Sequence, residues 1–311
     1  MVKMTARKTL SLALVFLLGA VATTQSASAA PIRDYIVLGD SMAFGETNFT
    51  SNPSNGDRGY VKPYADYLAG LNGGVRPNVI NFGVDGETSS SFVNSTPHGD
   101  GTVSGMPAPQ LNLNYPASLP TQNGLMLSTL FSEKSAGHSV DTVSLQLGAN
   151  DLLSAVNAPG FFTMSAADQQ AKIAQILGTI QINDTYILSE LKAVVPDAKV
   201  LMLGYHNPFN ADPTSAIGKI ADPAIKALNS LIQSEAKAFG ATYVDTYTPF
   251  VGHELAYTYI AQGNVHPNST GYALIAAQME AVPEPSSFLV VGAGLVGWVI
   301  VTRRNGRRSA L

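Results

Sequence analysis

Five short apolar runs punctuate the chain, each closed by glycine or polar residues. They are Asp34 to Leu38, Val79 to Phe82, Val143 to Leu147, Lys199 to Leu203 and Thr242 to Asp245. Continuous rather than alternating apolar character fits strands covered on both faces, as in a parallel sheet. Helical patterns lie between them. The clearest runs from about Asp168 to Val194, with Ile173, Ile176, Leu177, Ile180, Ile187, Leu188, Leu191 and Val195 near one face. Ser165 with Asp168 supplies an N-terminal cap and Pro196 a stop. A second helix is expected from about Pro223 to Phe239, ending at Gly240, and a third from about Ser269 to Ala281. This alternation predicts an α/β fold, a parallel sheet with helices on both faces. One stretch does not fit. Between Ser89 and His138 the chain is rich in Ser, Gly, Pro and Asn and reads as a long insertion, with one short helix near Gly124 to Ser132.

Charge placement changes the picture at the ends. Seven of the 18 basic residues lie there, and one of the 22 acidic ones, so the body between carries 11 basic against 21 acidic residues, a net −10. An acidic body argues against nucleic acid as partner. The absence of cysteine excludes disulfides, thiol chemistry and thiolate zinc sites. Residues 1–29 read as a signal peptide. Lys3, Arg7 and Lys8 precede an apolar run from Leu10 to Leu18, and Ala27-Ser28-Ala29 offers a cleavage site.

At the other end, Ser286 to Thr302 carries no charge and is followed by Arg303, Arg304, Arg307 and Arg308. Seventeen residues at ~1.5 Å each span ~25 Å, the lower limit for a short transmembrane helix. With Pro283-Glu284-Pro285 in front, residues 283–311 resemble a PEP-CTERM sorting segment. That resemblance implies an exosortase-type sorting enzyme as partner, transient contact with the inner membrane, and export to the surface or surroundings of a Gram-negative bacterium.

The residues closing the strands carry the chemistry. Gly39-Asp40-Ser41 ends the first, Asn81-Phe82-Gly83-Val84-Asp85-Gly86-Glu87-Thr88 the second and Gly148-Ala149-Asn150-Asp151 the third; Val265-His266-Pro267 stands near the C-terminus. Ligands of open parallel sheets bind at the C-terminal strand ends, so the first three sets should converge. A serine becomes a nucleophile when a base takes its proton, and the oxyanion that follows needs fixed donors.

In these four blocks, taken in this order, the sequence resembles the GDSL/SGNH hydrolase family, over nearly all of residues 30–282. The resemblance implies a three-layer α/β/α sandwich, flavodoxin-like, with a five-stranded parallel sheet; an ester substrate, small, lipid or polysaccharide; and no metal or cofactor. Carried over position by position, Ser41 is the nucleophile and His266 the base, while Ser41 N–H, Gly83 N–H and the Asn150 side chain form the oxyanion hole. The sequence departs from the family at Gly263, where an aspartate three residues before the histidine is usual. A backbone carbonyl holding His266, or another side chain, is expected in its place. His206, after the fourth strand, is read as lining the cleft; Asp40, Asp151 and Asp245 are read as structural.

The leading reading is an exported carboxylic ester hydrolase. A polysaccharide O-acetyl esterase or acyltransferase would use the same residues, and a non-catalytic surface or matrix protein could retain the fold. Activity on a simple chromogenic ester separates the last from the others.

Overall fold

A computed structural model describes residues 33–47, 58–94 and 121–282. The signal peptide, residues 95–120 and the segment from Pro283 onward lie outside the described residues.

Among the described residues there are five strands: β1 (Arg33–Gly39), β2 (Asn78–Asn81), β3 (Ser139–Gln146), β4 (Lys199–Leu203) and β5 (Thr242–Val244). All pair in parallel, in the order β2-β1-β3-β4-β5. Every residue of β1 after Arg33 is buried, as the continuous apolar run required. The helices are α1 (Ser41–Phe44), α2 (Val61–Leu71), α3 (Ser89–Asn94), α4 (Gln122–Ala136), α5 (Ala149–Asn157), α6 (Ala166–Val194), α7 (Ala216–Phe239), α8 (Glu254–Tyr257) and α9 (Ser269–Glu280). α2 packs with α9, while α6 packs along α7 and against α3, α4 and α5, so the helices form two groups around the sheet. The expected α/β architecture is the observed one. The order reverses direction between β1 and β3, which opens a crevice at their C-terminal ends, where Ser41 follows β1.

Two expectations need correction. α7 begins at Ala216, seven residues before Pro223, which sits inside the helix. Ser215 caps that start through a bond from Gly218 N–H at 3.0 Å, and proline costs the helix one hydrogen bond without ending it. The described parts of the stretch from Ser89 to His138 are helical at both ends, α3 and α4, and α4 is longer than the short helix expected. Among the described residues no helix is long and apolar enough to cross a membrane; the apolar run from Ser286 to Thr302 lies outside them.

Along α6, Ile180, Ile187, Leu188 and Leu191 are buried as the periodicity predicted, but so are Asn183 and Asp184. Their polar groups face neighbours on α3 and α7. Asn183 Nδ2 donates to Ser89 Oγ at 3.0 Å, and the charge of Glu235 adds to burial in raising the Asp184 carboxyl.

Candidate active site

β1 ends in Gly39 at φ +130°, where an added Cβ would lie 2.0 Å from Gln146 O. Only glycine fits so close to β3, and the chain turns there into α1. Asp40 caps α1, accepting from Met42 N–H at 2.9 Å, while its second carboxylate oxygen accepts from Tyr205 O–H at 2.6 Å. Burial is the main cause that pushes the Asp40 carboxyl up to about 7. Ser41, the first residue of α1, follows, and its N–H is one of the donors that a helix start leaves without an intrahelical acceptor.

His266 Nε2 lies 2.8 Å from Ser41 Oγ. The ring is fixed from its other side by Asn264, whose Oδ1 accepts from His266 N–H at 2.8 Å and faces Nδ1 at 2.6 Å. The backbone N–H fixes which end of the amide points at the histidine. An amide oxygen can only accept, so Nδ1 carries the ring proton and Nε2 offers its lone pair to the serine hydroxyl. Burial, reinforced by His206, lowers His266 to about 3, so the imidazole is neutral at neutral pH.

The orienting group is therefore a side-chain amide, neither a backbone carbonyl nor a carboxylate. Asp245 is engaged elsewhere: its Oδ1 accepts from Tyr247 N–H at 2.8 Å and Thr248 N–H at 3.1 Å. Gly263 adopts φ +76° as the cap of the turn from Ile260 to Gln262, a conformation that disfavours aspartate at that position.

Asn150, at the start of α5, donates one amide hydrogen to Glu87 O at 3.0 Å and lines the same cleft as Ser41 and His266. An amide nitrogen carries two hydrogens, so a second is left for a ligand. The expectation for Gly83 is corrected. Its N–H donates to Asn81 Oδ1 at 2.8 Å, and a Cβ there would lie 2.4 Å from Phe44 N. Gly83 serves the packing of the loop after β2 beneath α1. Asn81 completes that junction by donating to Ala43 O at 2.8 Å.

His206 lines the cleft. Its ring stacks on Phe250 at 4.5 Å and its Nε2 meets Val265 O at 3.1 Å. Burial lowers it to about 4. Asp151 is structural, accepting from Ser89 N–H at 2.9 Å and from its hydroxyl. Glu87 is fully buried and accepts from Gln122 Nε2 at 3.0 Å. Gln122 itself was missed. Its amide accepts from Gly39 N–H at 2.6 Å and donates to Gly39 O at 2.9 Å, so the first residue of α4 clamps the peptide next to the nucleophile turn. A lone glutamine in a Ser-, Gly- and Asn-rich stretch carries no periodic signal.

The cleft is lined mostly by apolar side chains. Ser41, Asn150 and His266 stand at its polar end. Leu152, Leu153 and Val156 of α5 and Ile217, Ala221, Ala224 and Ile225 of α7 form its walls, with Pro208 and Phe209 beside them. Among the described residues, Glu46, Asp85 and His266 bring metal-ligating atoms within 4.8 Å of one another, as do Asp34, Glu133 and His138. His138 is half-buried against Glu133.

The architecture is shared with solved enzymes. The lipase Lip_vut3 from a goat rumen metagenome is 18% identical, with 80% of this chain and 96% of that one aligned at a TM-score of 0.56. The extracellular lipase of Streptomyces rimosus is 19% identical over 79% of this chain and 98% of its own, at a TM-score of 0.50. No curated protein matches. Residues 281–307 match the PEP-CTERM protein-sorting motif. With the model of the GDSL-like lipase/acylhydrolase family matching residues 37–274, the chain belongs to that family and is a carboxylic ester hydrolase.

Proposed function

We propose that the chain is an exported serine esterase that forms an acyl-enzyme on Ser41, with His266 as general base and an apolar acyl group in the cleft between α5 and α7. The observation that carries this reading is the 2.8 Å contact of His266 Nε2 with Ser41 Oγ, with Nδ1 held by Asn264. As Oγ attacks the ester carbonyl, its proton passes to Nε2. Negative charge collects on the carbonyl oxygen, facing Ser41 N–H and the spare Asn150 hydrogen. The imidazolium returns the proton to the leaving alcohol. Water then repeats the sequence on the acyl-enzyme, with His266 again as base.

The aliphatic walls favour an acyl chain of several carbons over the acetyl group of a polysaccharide ester. An octanoyl chromogenic ester should be hydrolysed with a higher kcat/KM than the acetyl ester. Ser41→Ala should abolish hydrolysis of both while the protein keeps its melting temperature. Retained activity of purified Ser41→Ala would overturn the mechanism.

The two ends support export followed by sorting at the membrane. Mass spectrometry of protein from its native host should show a chain beginning near Ala30 and lacking Arg303 to Leu311. An intact C-terminus would overturn the processing.

A further inference from the structure

The amide that orients His266 leaves an electrostatic problem. During attack the imidazole becomes an imidazolium, and in a serine–histidine–aspartate arrangement the carboxylate at Nδ1 stabilises that charge. Asn264 is neutral and supplies only a dipole. A buried imidazolium without an anion nearby is costly.

An acidic pair stands on the other side of the ring. Glu46 follows α1, its N–H bonded to Ser41 O at 3.1 Å, so its backbone is tied to the nucleophile itself. Glu46 Oε2 lies 3.8 Å from His266 Nε2, and that oxygen is buried without a hydrogen-bond partner. The Glu46 side chain shares a hydrogen bond with Asp85 in the loop after β2. Two carboxyl groups this close share one proton and carry a single negative charge.

We propose that the Glu46–Asp85 pair is the counter-charge of the His266 imidazolium, taking over the electrostatic task of the missing triad carboxylate from the Nε2 side of the ring. The inference rests on the serine–histidine reading above. When His266 is neutral, the shared proton sits on Glu46 and the charge on Asp85. As Nε2 gains the serine proton, the shared proton moves to Asp85: one O–H bond breaks on Glu46 and one forms on Asp85, leaving the anion on Glu46 beside the new cation. When His266 gives its proton to the leaving alcohol, the shared proton returns. No proton is gained or lost by the pair.

The surroundings agree with this assignment. Burial, then the charge and hydrogen bond of Asp85, push the Glu46 carboxyl up to about 8, so it holds its proton at neutral pH. Burial also raises Asp85. Arg58, stacked 4.5 Å from the Phe44 ring centre, is the weakest of these influences on Glu46 and opposes them. From α9, Tyr272 O–H donates to Glu46 O at 2.6 Å and stays neutral, its phenol held well above its ordinary range chiefly by burial. His206, which acts electrostatically on His266, is lowered to about 4 chiefly by burial and is uncharged at neutral pH. The pair is thus the anionic partner within reach of Nε2 among these groups.

The test is a set of nearly isosteric variants assayed on one chromogenic ester: Glu46→Gln, Asp85→Asn, the double variant, and each combined with Asn264→Asp. Each single variant leaves one carboxylate, so its kcat should fall only several-fold. The double variant removes the charge, and its kcat should fall by roughly 10- to 100-fold with KM little changed. Asn264→Asp restores an anion at Nδ1 and should raise kcat by a larger factor in the double variant than in the wild type. A folded double variant with kcat within about twofold of wild type would overturn the inference, as would an equal effect of Asn264→Asp in both backgrounds. Should the double variant not fold, the same comparison in Glu46→Gln decides. Loss of activity in Ser41→Ala together with a fully active double variant would leave the serine mechanism standing and sink this inference alone.

Discussion

Among the described residues, two carboxyl pairs have similar chemistry and different neighbours. Glu46 and Asp85 share a hydrogen bond beside His266; Asp184 and Glu235 interact between α6 and α7. In both, burial is the first cause that raises the carboxyl groups, with Glu46 at about 8 and Glu235 at about 7. For stability their consequence has one sign. Unfolded glutamate ionises near its ordinary 4.5, while the folded groups hold their protons to about 7 and about 8. Between those limits the folded state binds more protons, so stability is full below about 4.5 and falls as pH rises through the folded values. For the reaction the two pairs differ. One has His266 3.8 Å away, which the proposed mechanism charges during turnover; the other lies between two helices, with the charge of Asp151 acting on it. On the proposal above, what titrates next to a carboxyl pair decides whether the pair serves the reaction.

The comparison breaks most visibly at the reacting end. Asn150→Ala should lower kcat by ~10²–10³ with little change in KM, the usual effect of losing one oxyanion donor, while Asp184→Asn and Glu235→Gln should leave kcat where it was. A pure KM effect would make Asn150 a binding residue. A smaller effect is expected in the pH profile of kcat. His266 is neutral above about 3, so the plateau should extend well into acid. As pH passes about 8, Glu46 loses its proton against Asp85, Arg58, Tyr272 and His266, the negative charge beside the imidazolium grows, and kcat should rise further. Glu46→Gln should flatten that rise, and an unchanged rise would assign it to another group. Thermal melts sharpen the other side. Tm should fall between about pH 4.5 and 8, and Glu235→Gln should reduce the fall without touching kcat. The smallest effect concerns Gly263. At φ +76° with open space around its Cα, Gly263→Asp and Gly263→Ala should each cost ~1 kcal/mol of stability. A gain in kcat for the aspartate alone would show that it reaches the imidazole after all.

Much of this was legible along the chain. Apolar runs are a local signal, so all five strands could be placed within a few residues, and the alternation with helical patterns sufficed for the architecture. Ser41 and His266 stood out because the blocks around them are local too. Other readings failed for definite reasons. Pro223 looked like a helix start because proline is common there, yet Ser215 capped the helix earlier. That moved Ile217 and Ala221 onto the cleft wall. Gly83 looked like a donor to substrate, but Asn81 takes its N–H.

By itself, then, the sequence determined which segments are strands, that they lie in parallel under helices, and which serine and histidine meet at the strand ends. Those properties follow from short-range periodicity and from the blocks that close each strand. Only the tertiary structure decided what surrounds the reacting atoms. Asn264 at Nδ1, Gln122 on the Gly39 peptide and Glu46 with Asp85 beside Nε2 are single polar residues with no repeat around them. Their meaning arises only when folding removes water and leaves each buried polar group the partners that the packed chain supplies.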